Sequence, residues 1–198
     1  MKKALYVLPL IFLAPFAAAN TCDSFTEDTL VAETNITKGL IPILNGQFGV
    51  GGWPENTVSA DPDTLTDNQM FIEKDNDGVQ YGENQHWGTD TVWWDARESV
   101  SDNNTVEFDL GGYYSLNKII IQADTNDYYQ VQYLRDGRWD PVWTAGSTFD
   151  WGMMARHSGD MTGSTVAANR IRIEVSGGDS LYSLSEVAVF GRPVSCQN

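Results

Sequence analysis

The chain has 198 residues with 12 Lys and Arg against 27 Asp and Glu, a formal charge of −15. A field of that sign repels phosphate backbones and anionic lipid, which excludes nucleic acid as a partner class and disfavours acidic membranes. Cations, neutral glycans and other protein surfaces stay open.

Lys2 and Lys3 form a positive start, and Ala4 to Phe16 is an apolar run broken by Pro9 and Pro15. Ala17-Ala18-Ala19 then supplies small residues for cleavage. These three parts predict a secretory signal peptide over residues 1–19, followed by a single domain over 20–198. The apolar run is shorter than the roughly 20 residues a spanning helix needs. No second long apolar run follows, so no transmembrane segment is expected in the mature chain. Removing Lys2 and Lys3 leaves 12 less two cationic residues against 27 acidic ones, a mature charge of about −17. The lysine-poor, acidic chain and its short signal fit a bacterial protein, secreted or periplasmic.

Cys22 and Cys196 lie near the two ends of the mature chain. Two cysteines in an exported chain predict a disulfide. Such a bond closes nearly the whole domain into one ring and brings the termini within roughly 4–7 Å, Cα to Cα. Lipid modification of Cys22 is the alternative, but Ala19-Asn20-Thr21 lacks the small-residue pattern of lipoprotein signals.

Residues 34–95 show little regular pattern and are rich in Gly, Asn, Asp and Trp. Trp53, Met70, Phe71, Trp87, Trp93 and Trp94 carry too much apolar surface for a disordered tail. Long ordered loops are expected here, packed on the rest of the domain. Within them Asp61-Pro62-Asp63-Thr64-Leu65-Thr66-Asp67-Asn68 is dense in the hard oxygen ligands that calcium takes six to eight at a time. Asp75-Asn76-Asp77-Gly78 looks like the start of a calcium loop, but lacks the ligand spacing of an EF-hand.

Period-two alternation begins at Thr105–Leu110, which ends at Gly111-Gly112. Asn117–Ala123 carries Ile119, Ile120 and Ile121, as a strand buried on both faces would. Tyr128–Leu134 is a third strand, closed by Arg135-Asp136-Gly137. Trp139–Thr144 is a fourth, pushed toward a sheet edge by Pro141. Asn169–Val175 alternates Ile171, Ile173 and Val175 with Arg170, Arg172 and Glu174. Ser183–Phe190 is the last strand before Gly191. Asp124-Thr125-Asn126-Asp127 reads as a hairpin turn whose side chains cap backbone groups. Short strands at this spacing predict an all-β antiparallel sandwich or barrel.

Read together, these strands resemble the discoidin domain, the coagulation factor V/VIII C-type domain of the galactose-binding-like jelly-roll group. The resemblance rests on Trp94, Val106-Glu107-Phe108-Asp109-Leu110-Gly111, Ile119-Ile120-Ile121 and Tyr129–Tyr133 leading to Asp136-Gly137 and Trp139. It closes on Asn169-Arg170-Ile171-Arg172-Ile173 and Ser183–Gly191. It covers residues 87–196 and implies an antiparallel β-sandwich, a jelly roll, in which a disulfide often joins the two ends. It also implies a structural calcium held by a loop near the first strand and by the Glu of the last. Position for position that points to Asp67 and Glu186, with Asp63 and Thr66 as further ligands. The family's Asp-Gly-Asp is replaced here by Thr66-Asp67-Asn68.

Carbohydrate-binding members of that family use loops at one end of the jelly roll. A glycan site needs an aromatic face for the pyranose ring and a few fixed polar groups for its hydroxyls. The loop aromatics Trp53, His86, Trp87 and Trp151 and the scarce donors Arg97, Arg156 and His157 are the candidates. Trp93, Trp94, Trp139 and Trp143 are expected to pack in the core or under loops. No Gly-x-Ser-x-Gly, His-Glu-x-x-His or phosphate-loop pattern is present, and an enzyme is not expected. The expectation is a secreted, non-catalytic carbohydrate-binding domain with calcium support. A structural or adhesive surface protein with protein partners is the alternative.

Overall fold

The computed structural model describes residues 22–28, 30–51, 58–70, 90–97, 103–148, 152–163 and 166–197. Its strands, in chain order, are β1 (Phe25–Glu27), β2 (Thr34–Asn35), β3 (Ile43–Asn45), β4 (Val92–Asp95), β5 (Thr105–Ser115) and β6 (Lys118–Asp124). They continue with β7 (Tyr128–Arg135), β8 (Arg138–Ala145), β9 (Met153–His157), β10 (Ala167–Ser176), β11 (Leu181–Gly191) and β12 (Val194–Cys196). A 3₁₀ turn spans Pro62–Thr66, where Pro62 sits near the start and so costs no hydrogen bond.

Two antiparallel sheets face one another. One has the order β3-β5-β10-β7-β8, and the other β2-β11-β6-β9 with β4 paired to β11. Alternation builds the first sheet: Val106, Phe108, Leu110, Tyr129, Val131, Ile171 and Ile173 are buried toward the second. Their neighbours Glu107, Arg170, Arg172, Gln130 and Gln132 share the outer face. Pro141 does lie in an edge strand, β8, opposite Gln132 at a register shift in the β7–β8 ladder. In the second sheet β6 is buried along nearly its whole length, as its isoleucine run predicts, because both of its edges and both faces are covered.

Several sequence expectations change. β5 does not stop at Gly111-Gly112 but runs through them to Ser115, with a register shift opposite Asn169 that absorbs the glycines. β11 is not the last strand, since β12 follows and pairs with β1. Asp124–Asp127 is not a hairpin turn: β6 and β7 belong to different sheets, and the segment crosses between the layers. Trp93 and Trp94 are buried at 1% exposure each, as expected, on a strand, β4, that the loop-like composition around it concealed. Trp139 instead lies on the outer face of the first sheet, stacked beneath the guanidinium groups of Arg170 and Arg172 at 5.9 and 4.8 Å.

Cys22 and Cys196 form a disulfide with a Cα–Cα distance of 5.1 Å. The β1–β12 ladder and the Asp23–Arg135 ion pair at 3.0 Å secure the same end of the sandwich. Among the described residues no helix is long and apolar enough to cross a membrane.

Candidate functional site

Strand direction places the loops. β5, β7, β9 and β11 all run toward the disulfide end, so segments 46–51, 58–61, 95–97, 124–127, 145–148 and 176–180 gather at the opposite end. Backbone hydrogen bonds tie them to one another: Ala60 N–H to Thr91 O, Gly49 N–H to Trp93 O, Ala96 N–H to Ser180 O and Thr148 N–H to Thr125 O.

Arg97 stands at this end. Its Nε and Nη2 donate to Asp95 Oδ1 and Oδ2 at 2.9 and 2.7 Å, and its backbone N–H adds a third bond to Oδ1. Asp95 is buried while the Arg97 side chain is 50% exposed, so a cation is fixed in place with one side toward solvent. Gly51 makes room for this pair: a Cβ there would overlap Asp95, and its φ is +127°.

Arg156 is placed differently. It is buried, and its guanidinium bonds the carbonyls of Asp127, Gly146 and Asp124 at 3.0, 2.9 and 2.6 Å. It also lies 5.1 Å over the Tyr129 ring. Three carbonyls from two separate connections converge on one side chain, which makes Arg156 the residue that positions the loops. Burial and the neighbouring carboxylates push Asp124 up to about 7 and Asp127 up to about 9, with Arg156 opposing both shifts. His157 is exposed on β9 opposite Ile120, further from the loop end than Arg156. Trp53, His86, Trp87 and Trp151 lie outside the described residues.

A second locus is built by a bulge. Leu184 pairs with Ala123 and Glu186 with Gln122, so Ser185 is an extra residue in β11. Strict alternation would put Leu184 and Glu186 on one face. The bulge reverses the parity after Leu184, leaving Leu184 and Val187 in the core and turning Glu186 to the other face. There the segment after the 3₁₀ turn covers it. Asn68 N–H donates to Glu186 Oε2 at 3.1 Å, and Oε1 is buried with no hydrogen-bond partner. Burial first, then the charge of Asp67, push the Glu186 carboxyl up to about 7. Asp67 Oδ1 accepts from Gln69 N–H at 2.8 Å.

The structure therefore brings Asp67 and Glu186 together. Thr66 is close in the chain, but its hydroxyl donates to the carbonyl of Leu40 at 2.6 Å and reaches that of Asp63 at 3.2 Å. Asp63 stands exposed in the first turn. Among the described residues no three His, Cys, Asp or Glu side chains gather as a metal cluster. Sequence reasoning missed Asp95, Asp124 and Asp127 as structural partners of the arginines. The Asp95-Ala96-Arg97 spacing was the one local signal available.

No protein-family model and no curated protein matches the chain. Solved structures do. A fucolectin from striped bass (Morone saxatilis) serum is 11% identical with a TM-score of 0.50, over 82% of this chain and 50% of that one. The galactose complex of the family 32 carbohydrate-binding module of Clostridium perfringens NanJ is 12% identical, TM-score 0.48, over 80% and 99%. A Clostridium perfringens family 89 glycoside hydrolase is 18% identical, TM-score 0.49, over 80% of this chain. The chain spans only 14% of that hydrolase's length. The likeness to the fucolectin is one of fold, and the jelly roll that the discoidin resemblance implied is the fold found.

Proposed function

We propose that the chain is an exported, non-catalytic domain that binds neutral glycans through the loop end carrying Arg97, with a structural calcium at Asp67 and Glu186. The observation that carries the reading is the half-exposed guanidinium of Arg97, locked by buried Asp95 among loops opposite the tethered termini. A fixed donor of this kind suits sugar hydroxyls, which need few but pre-oriented polar partners. The sequence adds the aromatics Trp53, His86, Trp87 and Trp151 as candidate ring-stacking partners. The fold supports the reading as well, since the serum fucolectin shares it. The disulfide supports export.

Calcium suits the second locus because Glu186 Oε1 is a buried oxygen lacking a partner, beside a second carboxylate. A hard cation would satisfy both, drawing its other ligands from backbone carbonyls and water. Its role would be to hold the segment after the 3₁₀ turn against β11.

A glycan array and a polysaccharide pull-down, each with and without chelator, test the function. Binding to a neutral glycan that Trp87→Ala or Trp151→Ala removes is the expected result. An array without any response, on protein shown to be folded, rejects it.

A further inference from the structure

The outer face of the first sheet holds a cavity of about 320 Å³, lined by Tyr128 and Gln130 of β7, Thr144 of β8, and Glu174, Val175 and Ser176 of β10. This size is within the range of small-molecule sites, roughly 300–1,000 Å³. Register explains its shape. Gln130 pairs with Thr144 on one side and Glu174 on the other, and Tyr128 pairs with Ser176 two register positions nearer the loop end, on the same face. These two rungs thus present an aromatic ring beside a row of amide, hydroxyl and carboxylate groups.

Both kinds of group are held in place. Tyr128 is 45% exposed, and one side of its ring rests on Gly177, where a Cβ would come within 2.9 Å of Cδ2. With φ at +76°, that position favours glycine twice over. Gln132 Nε2 donates to Gln130 Oε1 and to Glu174 Oε2, both at 2.6 Å, while Arg172 Nε donates to Gln132 Oε1 at 2.6 Å. This chain of bonds orients the Gln130 amide with its nitrogen as the end not engaged by Gln132.

We propose that this groove is a second carbohydrate subsite, taking one neutral pyranose with its apolar face on Tyr128 and its hydroxyls toward Gln130, Thr144 and Ser176. The inference rests on the glycan-binding reading of the loop end, but the groove lies on the sheet face. Charge selects the occupant. No lining residue is cationic and Glu174 is among them, so an anionic ligand is repelled. Arg172 lies 3.9 Å from Glu174 and Gln132 bonds it, which offsets the pull on a free cation. A neutral polyhydroxylated ring matches an aromatic face flanked by mixed donors and acceptors.

The test is ¹⁵N chemical-shift mapping of the full domain titrated separately with galactose, glucose, N-acetylglucosamine, fucose and calcium chloride. At least one sugar is expected to shift the amides of Tyr128, Gln130, Thr144 and Ser176. Tyr128→Ala is expected to weaken that response roughly tenfold, with Tyr128→Phe close to wild type. Tyr128 is half-exposed, and an unchanged spectrum elsewhere would verify that the variant folds. Shifts confined to the loops around Arg97, an undiminished response in Tyr128→Ala, or the same shifts from calcium chloride alone each overturn the subsite while sparing the loop-end reading. A domain that answers to no sugar in this titration or on the array overturns both.

Discussion

Asn68 donates its backbone N–H to one oxygen of Glu186 at 3.1 Å, while the other oxygen is buried with no partner. A buried carboxylate oxygen left unsatisfied costs about 1–3 kcal/mol, more when charged. The sequence separation of 118 between the two members of this pair makes the contact a tether between the loop segment and β11.

Calcium is therefore expected to raise thermal stability. With free calcium at a hundredfold its Kd, the gain is about 2.7 kcal/mol, or several degrees of Tm for a domain of this size. Glu186→Gln should lose the calcium response. Melting curves with calcium and with chelator measure both, and superimposable wild-type curves would count against the site.

Arg97→Lys keeps the charge opposite Asp95 but loses the two-pronged geometry. Because the side chain is half-exposed, stability should change by under about 1 kcal/mol. Glycan affinity should fall roughly tenfold or more, the value of a hydrogen bond from a charged donor. Calorimetric titration beside a denaturation curve separates the two effects, and unchanged affinity would remove Arg97 from the binding surface.

Arg156→Ala should behave in the opposite way. It strands the buried carbonyls of Asp124 and Asp127 and the part-buried one of Gly146, and takes the cation from beside Asp124 and Asp127. At about 1–3 kcal/mol for each of the two buried carbonyls left unmade, a loss of at least about 2 kcal/mol is expected in urea denaturation. A loss below about 1 kcal/mol would show that water replaces the guanidinium.

Asp124 and Asp127 set a pH dependence. Their ordinary value is 3.8, and in the folded protein burial raises them to about 7 and about 9. Between 3.8 and those values the native state holds more protons than the unfolded chain. Their contribution to stability is complete at low pH, falls as pH rises, and levels off above about 9. Asp127→Asn should flatten part of this decline. Denaturation midpoints measured across that window for wild type and variant give the comparison, and parallel pH profiles would refute the assignment.

The Cys22–Cys196 bond closes a loop of 174 residues. Chain-entropy reasoning gives about 5 kcal/mol as the ceiling for its contribution. A Cys22→Ser, Cys196→Ser double variant should lose a large part of that, read as a lower urea midpoint, and the wild type with reductant should match it.

Much of the architecture was legible locally. Val106, Phe108 and Leu110, or Ile171 and Ile173, identify strands and their buried faces because side-chain direction has a period of two residues, whatever the strand's partners. Pro141 announced an edge for an equally local reason. β4 was not legible, because Val92–Asp95 is short and buried along its full length, so it carries no alternation.

The arginines could be noticed in the sequence as scarce donors, yet locally only the Asp95-Ala96-Arg97 spacing separates Arg97 from Arg156. Only the convergence of the Asp124, Asp127 and Gly146 carbonyls buries the second, while Asp95 leaves the first facing solvent. Glu186 follows the same rule. Its position in the last long strand was readable, but its direction depends on a bulge opposite β6 that exists only once the two strands pair. By itself the sequence determined the long strands β5, β6, β7, β8, β10 and β11 and the faces they bury, since these follow from neighbours along the chain. Which polar side chains reach solvent, each other or a buried void was decided by the tertiary structure, because their partners come from segments far apart in sequence.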